Sequence, residues 1–187
     1  VQGSVLRMFQ DDASRFPVLL TREVKRDPVE EVRAGRAPPL SALSLHNGTV
    51  WRWNRPCYGV SGGKPHLRIE NRVLPSGPTV LDEVANAALF YGLMLQGRRA
   101  FTDFTKRLDF EDVRANFINA ACHGLDAQMY WLDRQKVSAR GLLGSELIAI
   151  AEQGLASVGV PEEHIERYLG VIRERVTSRR TGAIWML

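Results

Sequence analysis

Cysteine is scarce in this chain. Cys57 and Cys122 alone cannot build a disulfide framework, and no Cys or His run has the CxxC or HxxxH spacing of a metal site. A reducing, cytoplasmic setting is therefore expected. Long apolar runs are lacking too. The longest, at 85–95 and 142–151, stop at about 11 residues or carry polar interruptions, short of the roughly 18–20 that a bilayer crossing needs, so no membrane association is expected. The chain opens with Val and shows no charged, apolar and small-residue order of a secretory leader. No Ser/His/Asp or Cys/His arrangement points to a nucleophilic side chain, and neither an internal repeat nor a low-complexity segment is present. What remains is 187 residues, 44% hydrophobic and 25% charged, with a formal charge of +4. That length suits one buried core of ordinary domain size.

Period and punctuation divide the sequence in three. Residues 1–45 are mixed: 16–21 reads as a short strand and 27–32 as a helical turn or two with Pro28 at its first position, stopped by Gly35 and Pro38-Pro39. Thr49-Val50-Trp51-Arg52-Trp53-Asn54-Arg55 is β-branched and aromatic, and His46-Asn47-Gly48 before it carries an Asn-Gly turn signal, so 49–55 reads as a strand. Ser61-Gly62-Gly63 is a hairpin connection, and 66–74 is the antiparallel partner. After 75–78 the period changes from 2 to 3.6. Thr79 and Asp82 have capping-box spacing ahead of a broad apolar stripe running to about Gln96, and further helices are expected at 110–132, 138–157 and 161–178. Strands early and helices late give an α+β class, with 46–75 as a β-hairpin and 76–187 as a helical region.

The second strand carries the chemistry. Alternation puts His66, Arg68, Glu70 and Arg72 on one face and Leu67, Ile69 and Val73 on the other. One account of that face is a solvated side of a half-buried sheet. Another follows from its neighbour, where Arg52 and Arg55 would join Arg68 and Arg72 in a like-charge crowd that needs an anion or carboxylate among it. Residues 46–75 hold five basic side chains against Glu70 alone, which is the whole +4 excess. Arginine forks suit phosphate oxygens and an isolated carboxylate suits Mg²⁺, so a nucleotide-phosphate and metal site is the chemical expectation. By contrast, Arg173, Arg175, Arg179 and Arg180 fall where five bases meet four acids over 160–187 with no aromatic platform. Nucleic acid is therefore not an expected partner.

His46-Asn47-Gly48-Thr49-Val50-Trp51-Arg52-Trp53-Asn54-Arg55-Pro56, followed by His66-Leu67-Arg68-Ile69-Glu70-Asn71-Arg72-Val73-Leu74-Pro75-Ser76-Gly77-Pro78-Thr79, closely resembles the glutamate–cysteine ligase type 2 family of carboxylate–amine ligases, in the glutamine-synthetase-like superfamily. The helix beginning Leu81-Asp82-Glu83-Val84, Gly154-Leu155 and the terminal Thr181-Gly182-Ala183-Ile184-Trp185 look like the rest of that family's C-terminal portion, so the resemblance spans about Pro38 to the end. It implies the C-terminal part of one ligase-like catalytic domain, using ATP and Mg²⁺ to join glutamate, through an acyl phosphate, to the amine of a cysteine-like amino acid, as in glutathione biosynthesis. By that resemblance Glu70 is a metal ligand. Arg52, Arg55 and Arg72 are catalytic, Arg52, Arg55, Arg68 and Arg72 contact ATP phosphates, and Asn54 and His66 bind substrate.

Several alternatives stay open at this point. Nothing in these residues selects cysteine over another amine, and a non-catalytic interaction or regulatory module derived from the ligase fold would share the sequence. His66 fits a loop hydrogen bond as well as a substrate contact. Trp51 and Trp53 fit packing as well as adenine stacking. Strict alternation places Arg52 and Arg55 on opposite faces, and one carboxylate does not hold several metal ions. The chain is therefore expected to be incomplete and inactive alone, lacking an N-terminal part, and to expose sheet edges that favour self-association.

Overall fold

Ten α-helices, two short 3-10 turns, one π-helical segment and two small antiparallel hairpins are the regular elements among the described residues of the computed structural model, which are 4–21, 23, 26–50, 52–74 and 77–185. The class is α+β. The chain divides into two compact units, Val1–Pro75 and Ser76–Leu187.

In the first unit, three short helices precede the hairpin. Ser4 caps α1 (Val5–Arg15) through the Arg7 amide. Asp27 caps α2 (Pro28–Arg33), with Pro28 at its first position as the sequence predicts. No strand forms at 16–21 among the described residues. The predicted strand at 49–55 is also displaced. Helix α3 (Ser41–Thr49) takes His46, Asn47 and Gly48, and β1 begins only at Asn54 and runs to Ser61. The Asn-Gly pair is thus helical and not a turn, because long-range contacts override the local signal. His46 Nε2 lies 3.1 Å from the Phe16 carbonyl, and buried Asn47 donates to the Pro56 carbonyl. Trp51 lies outside the described residues, and Trp53 is exposed just ahead of β1.

The hairpin connection is at Gly62-Gly63 as expected, both with positive φ. Strand β2 (Lys64–Asn71) returns antiparallel, pairing Arg55 with Glu70, Cys57 with Arg68 and Gly59 with His66. This register keeps His66, Arg68 and Glu70 on one face with Arg55. On the other face Leu67 and Ile69 are exposed, because two strands alone offer no second layer to cover them.

The second unit is built on three helices. Thr79 and Asp82 close the predicted capping box at the start of α4 (Val80–Ala100). Helix α5 (Phe104–Arg107) is a single turn, and α6 (Phe110–His123) stops short of the expected 132. Gly124 takes φ +54, which ends the helix. The Asn116 side chain then accepts from the Tyr130 amide and donates to its carbonyl, while Asn119 donates to the Gln128 carbonyl. That grip holds β3 (Gln128–Tyr130) to α6, and β3 pairs antiparallel with β4 (Lys136–Ser138).

Residues 139–156 form one helical rod, α7 (Ala139–Leu142) and α8 (Ile148–Ala156), joined by a π-helical segment at Leu143–Leu147. Helix α9 (Glu162–Ser178) and the short α10 (Gly182–Trp185) follow. Ile165, Leu169, Ile172 and Val176 line one side of α9 and pack with Ile148, Ala151 and Leu155 of α8 and Ala85 of α4. The core is small-residue where α4 meets α8. No helix among the described residues is long and apolar enough to cross a membrane.

The α9 arginines spend their charge within the unit: Arg173 on Glu152, Arg175 on Asp82 and Asn86, and, just past the helix, Arg179 on Asp126. The Thr79 hydroxyl first, and Arg175 second, hold the Asp82 carboxyl below the usual aspartate range. A carboxyl whose pKa is lower folded than unfolded adds stability above its unfolded pKa, and that stability is lost as pH falls through the folded value. Melting of the helical unit should therefore fall as pH drops below about 4. Asp82→Asn should lower stability at neutral pH and flatten this acid limb. Thermal melts from neutral pH down into the acid limb test both signs, and an unchanged acid slope in the variant would contradict the assignment.

Candidate functional site

The cleft follows from the hairpin register. With Arg55 opposite Glu70 and Cys57 opposite Arg68, four chemically active side chains emerge on one face of β1 and β2. Helix α3 supplies the opposing wall. Ser44, Asn47 and Gly48 from α3, Cys57 and Tyr58 from β1, and the Arg55, Arg68 and Glu70 side chains enclose about 340 Å³.

Arg55 is the most constrained of these. Its Nε donates to Glu70 and its Nη1 to the Asn47 carbonyl. This hydrogen bond to Arg55 is the main force holding the Glu70 carboxyl below the usual glutamate range, with smaller contributions from the positive charges of Arg72 and Arg68. The same bond raises Arg55 further above its ordinary value. Arg68 is less committed: its Nη1 faces His66 Nε2 at 3.2 Å at an exposed position. The tips of both side chains lean over Gly59, where an added Cβ would come within 2.7 Å of His66 and 2.8 Å of Arg68. Buried Cys57 contributes a thiol 3.9 Å from Glu70 Oε2.

Not every predicted site residue reaches this cleft. Arg52 turns away, pairs with buried Asp12 of α1 and stacks its guanidinium 4.9 Å from the Phe16 ring centroid. Arg52 precedes β1, so its separation from Arg55 follows from the contact with Asp12 and not from strand alternation. Asn54 sits at the exposed strand start opposite Asn71, and the Arg72 amide donates to the Trp53 carbonyl just past the ladder. Arg55, Arg68, His66 and Glu70 therefore share one face, with the charge of Arg72 acting on Glu70.

Comparison with known protein families, with curated proteins and with solved structures finds no match. Function must accordingly be argued from the cleft.

The sequence pattern missed Asn47, whose carbonyl orients Arg55 and whose amide ties α3 to Pro56, and Tyr58, whose hydroxyl donates to the Pro38 carbonyl. The Pro38-Pro39 pair just before Ser41 was the available signal for a helix start there. Chemically, the cleft offers guanidinium donors and one carboxylate. Among the described residues no group of three or more His, Cys, Asp or Glu side chains is placed to hold a metal ion. The single Glu70 fits a Mg²⁺ that arrives on a ligand's phosphates and keeps several waters, since such ions use only one or two protein carboxylates.

Proposed function

We propose that this chain carries the phosphate-binding portion of an ATP-dependent carboxylate–amine ligase of the glutamate–cysteine ligase type. The observation that supports it is the convergence of Arg55, Arg68 and Glu70 in one cleft, within the segment where all the excess positive charge lies and where the sequence resemblance is most specific. In the proposed reaction a glutamate side-chain oxygen attacks the γ-phosphorus of ATP and ADP leaves. The amine nitrogen then attacks the acyl carbon, phosphate departs with the bonding pair, and the amine loses its proton as the amide forms. Such chemistry depends on positioning and charge neutralisation, not on a nucleophilic side chain. Arg68 would hold phosphate oxygens, with the charge of Arg72 adding to the local positive field. Arg55 would exchange its Glu70 bond for a phosphate, which frees Glu70 to hold Mg²⁺. When bound, the ion would supply charge neutralisation between phosphate and carboxylate.

With one carboxylate in the cleft, the chain alone is expected to bind nucleotide without turning it over. Mg-ATP should raise its melting temperature, saturating with ligand as linkage requires, and Arg68→Ala should remove most of the shift. A melting curve indifferent to Mg-ATP would overturn the reading, and ATP hydrolysis with glutamate and cysteine by the chain alone would overturn the half-site assignment. A second reading, a non-catalytic interaction module, is favoured by the exposed apolar side of α4.

A further inference from the structure

Between Val84 and Leu95 helix α4 is apolar on all sides but for Asn86, a pattern expected of a helix buried over most of its surface. Its inner side is: Ala85 and Gly92 are buried against α8 and α9. The outer side is not. Val80 is 73% exposed, Tyr91 62% and Met94 59%, and between them lie the less exposed Val84, at 36%, and the half-buried Ala87.

These five residues do not scatter. Val80, Val84, Ala87, Tyr91 and Met94 are spaced 4, 3, 4 and 3 apart, which puts them on one face of the helix at a spacing that a second helix can match. Isolated exposed apolar residues need no explanation, whereas a stripe running from Val80 to Met94 of α4 marks an interaction surface. The Tyr91 ring stands edge-on to Phe90, their centroids 5.6 Å apart.

Charge identifies the occupant. Asp82 and Glu83 lie in the first turn of α4, and Arg98 and Arg99 in its last. Asp82 is satisfied by Arg175, but no ion pair among the described residues uses Glu83, Arg98 or Arg99. A helix that is acidic at one end, basic at the other and heptad-patterned between is complementary to itself turned end for end. We propose that a second copy of this chain lays its α4 antiparallel along this stripe, giving a two-fold dimer in which Glu83 of each copy faces the basic end of the other. The assignment stands independently of the nucleotide reading. It also assigns self-association to α4 and not to the edges of the β1–β2 hairpin.

Sedimentation or light scattering of the 187-residue chain, followed over a dilution series, tests it. The expected mass is twice the 21.0 kDa of one chain. Tyr91→Glu with Met94→Glu should give a monomer with unchanged far-ultraviolet circular dichroism, since both positions are exposed. Glu83→Arg should weaken the dimer by about three- to tenfold, the worth of two symmetry-related exposed charge pairs. Mixing that variant with Arg98→Glu/Arg99→Glu should restore affinity as a heterodimer. A monomer at every concentration, or a dimer that survives Tyr91→Glu/Met94→Glu, would overturn the proposal. A dimer indifferent to Glu83→Arg would overturn the antiparallel arrangement.

Discussion

Replacing Gly154 with alanine should cost the helical unit roughly 3 kcal/mol and lower its melting temperature by about 10 °C. The reason is the approach of α4 to α8. A Cβ on Gly154 would lie 2.0 Å from the Gly92 carbonyl oxygen and 2.8 Å from its carbon, and a Cβ on Gly92 would lie 2.4 Å from the Ala151 oxygen. Each obstacle is main chain, which cannot rotate aside as a side-chain tip can. Accommodation therefore requires the two helices to separate, and with them the contacts among Ala85, Ile148, Ala151 and Leu155. Alanine's better helix propensity offsets only about 1 kcal/mol of this. Gly170 is the internal control: it lies in α9 with nothing within 4 Å of its Cβ direction. Gly170→Ala should thus stabilise by about 0.4–1 kcal/mol. Thermal melts of both variants read the contrast. Equal effects at 154 and 170 would mean that the close crossing is not a feature of the folded protein.

What the sequence made legible, and what it did not, divides along the range of the interactions involved. The capping box at Thr79 and Asp82, the helix expected at 161–178 and the Gly62-Gly63 turn depend on residues a few positions apart, and each lies where the local pattern puts it. The shared face of His66, Arg68 and Glu70 needs only strand alternation. Strand β1, in contrast, starts five residues late because His46 and Asn47 are drawn into α3 by Phe16 and Pro56. Arg52 leaves the arginine group for Asp12, forty positions earlier, a partner no local period can announce. Likewise, the end of α6 was hidden because Asn116 and Asn119 look like ordinary helical polar residues until they are seen holding the Gln128–Tyr130 backbone. The chemistry-bearing face was thus readable, whereas the division of its arginines between cleft and scaffold was not.

The Arg55–Glu70 pair makes the cleft hypothesis directional. In the metal-free protein Glu70 both repels an incoming polyanion and occupies Arg55. Removing its charge should therefore strengthen metal-free phosphate binding, while removing an arginine should weaken it. A cleft that merely packs an ion pair would show neither effect. Hydrogen bonds to a charged group contribute about 1.5–3 kcal/mol each, so loss of the Arg68 contact should weaken binding roughly ten- to a hundredfold. Titration of inorganic triphosphate into the wild type, Glu70→Gln and Arg68→Ala, with and without Mg²⁺, is the direct measurement. The account predicts tighter metal-free binding by Glu70→Gln together with loss of the Mg²⁺ enhancement, and weak binding by Arg68→Ala under both conditions. Equal affinity in all three proteins, or weaker metal-free binding by Glu70→Gln, would contradict it.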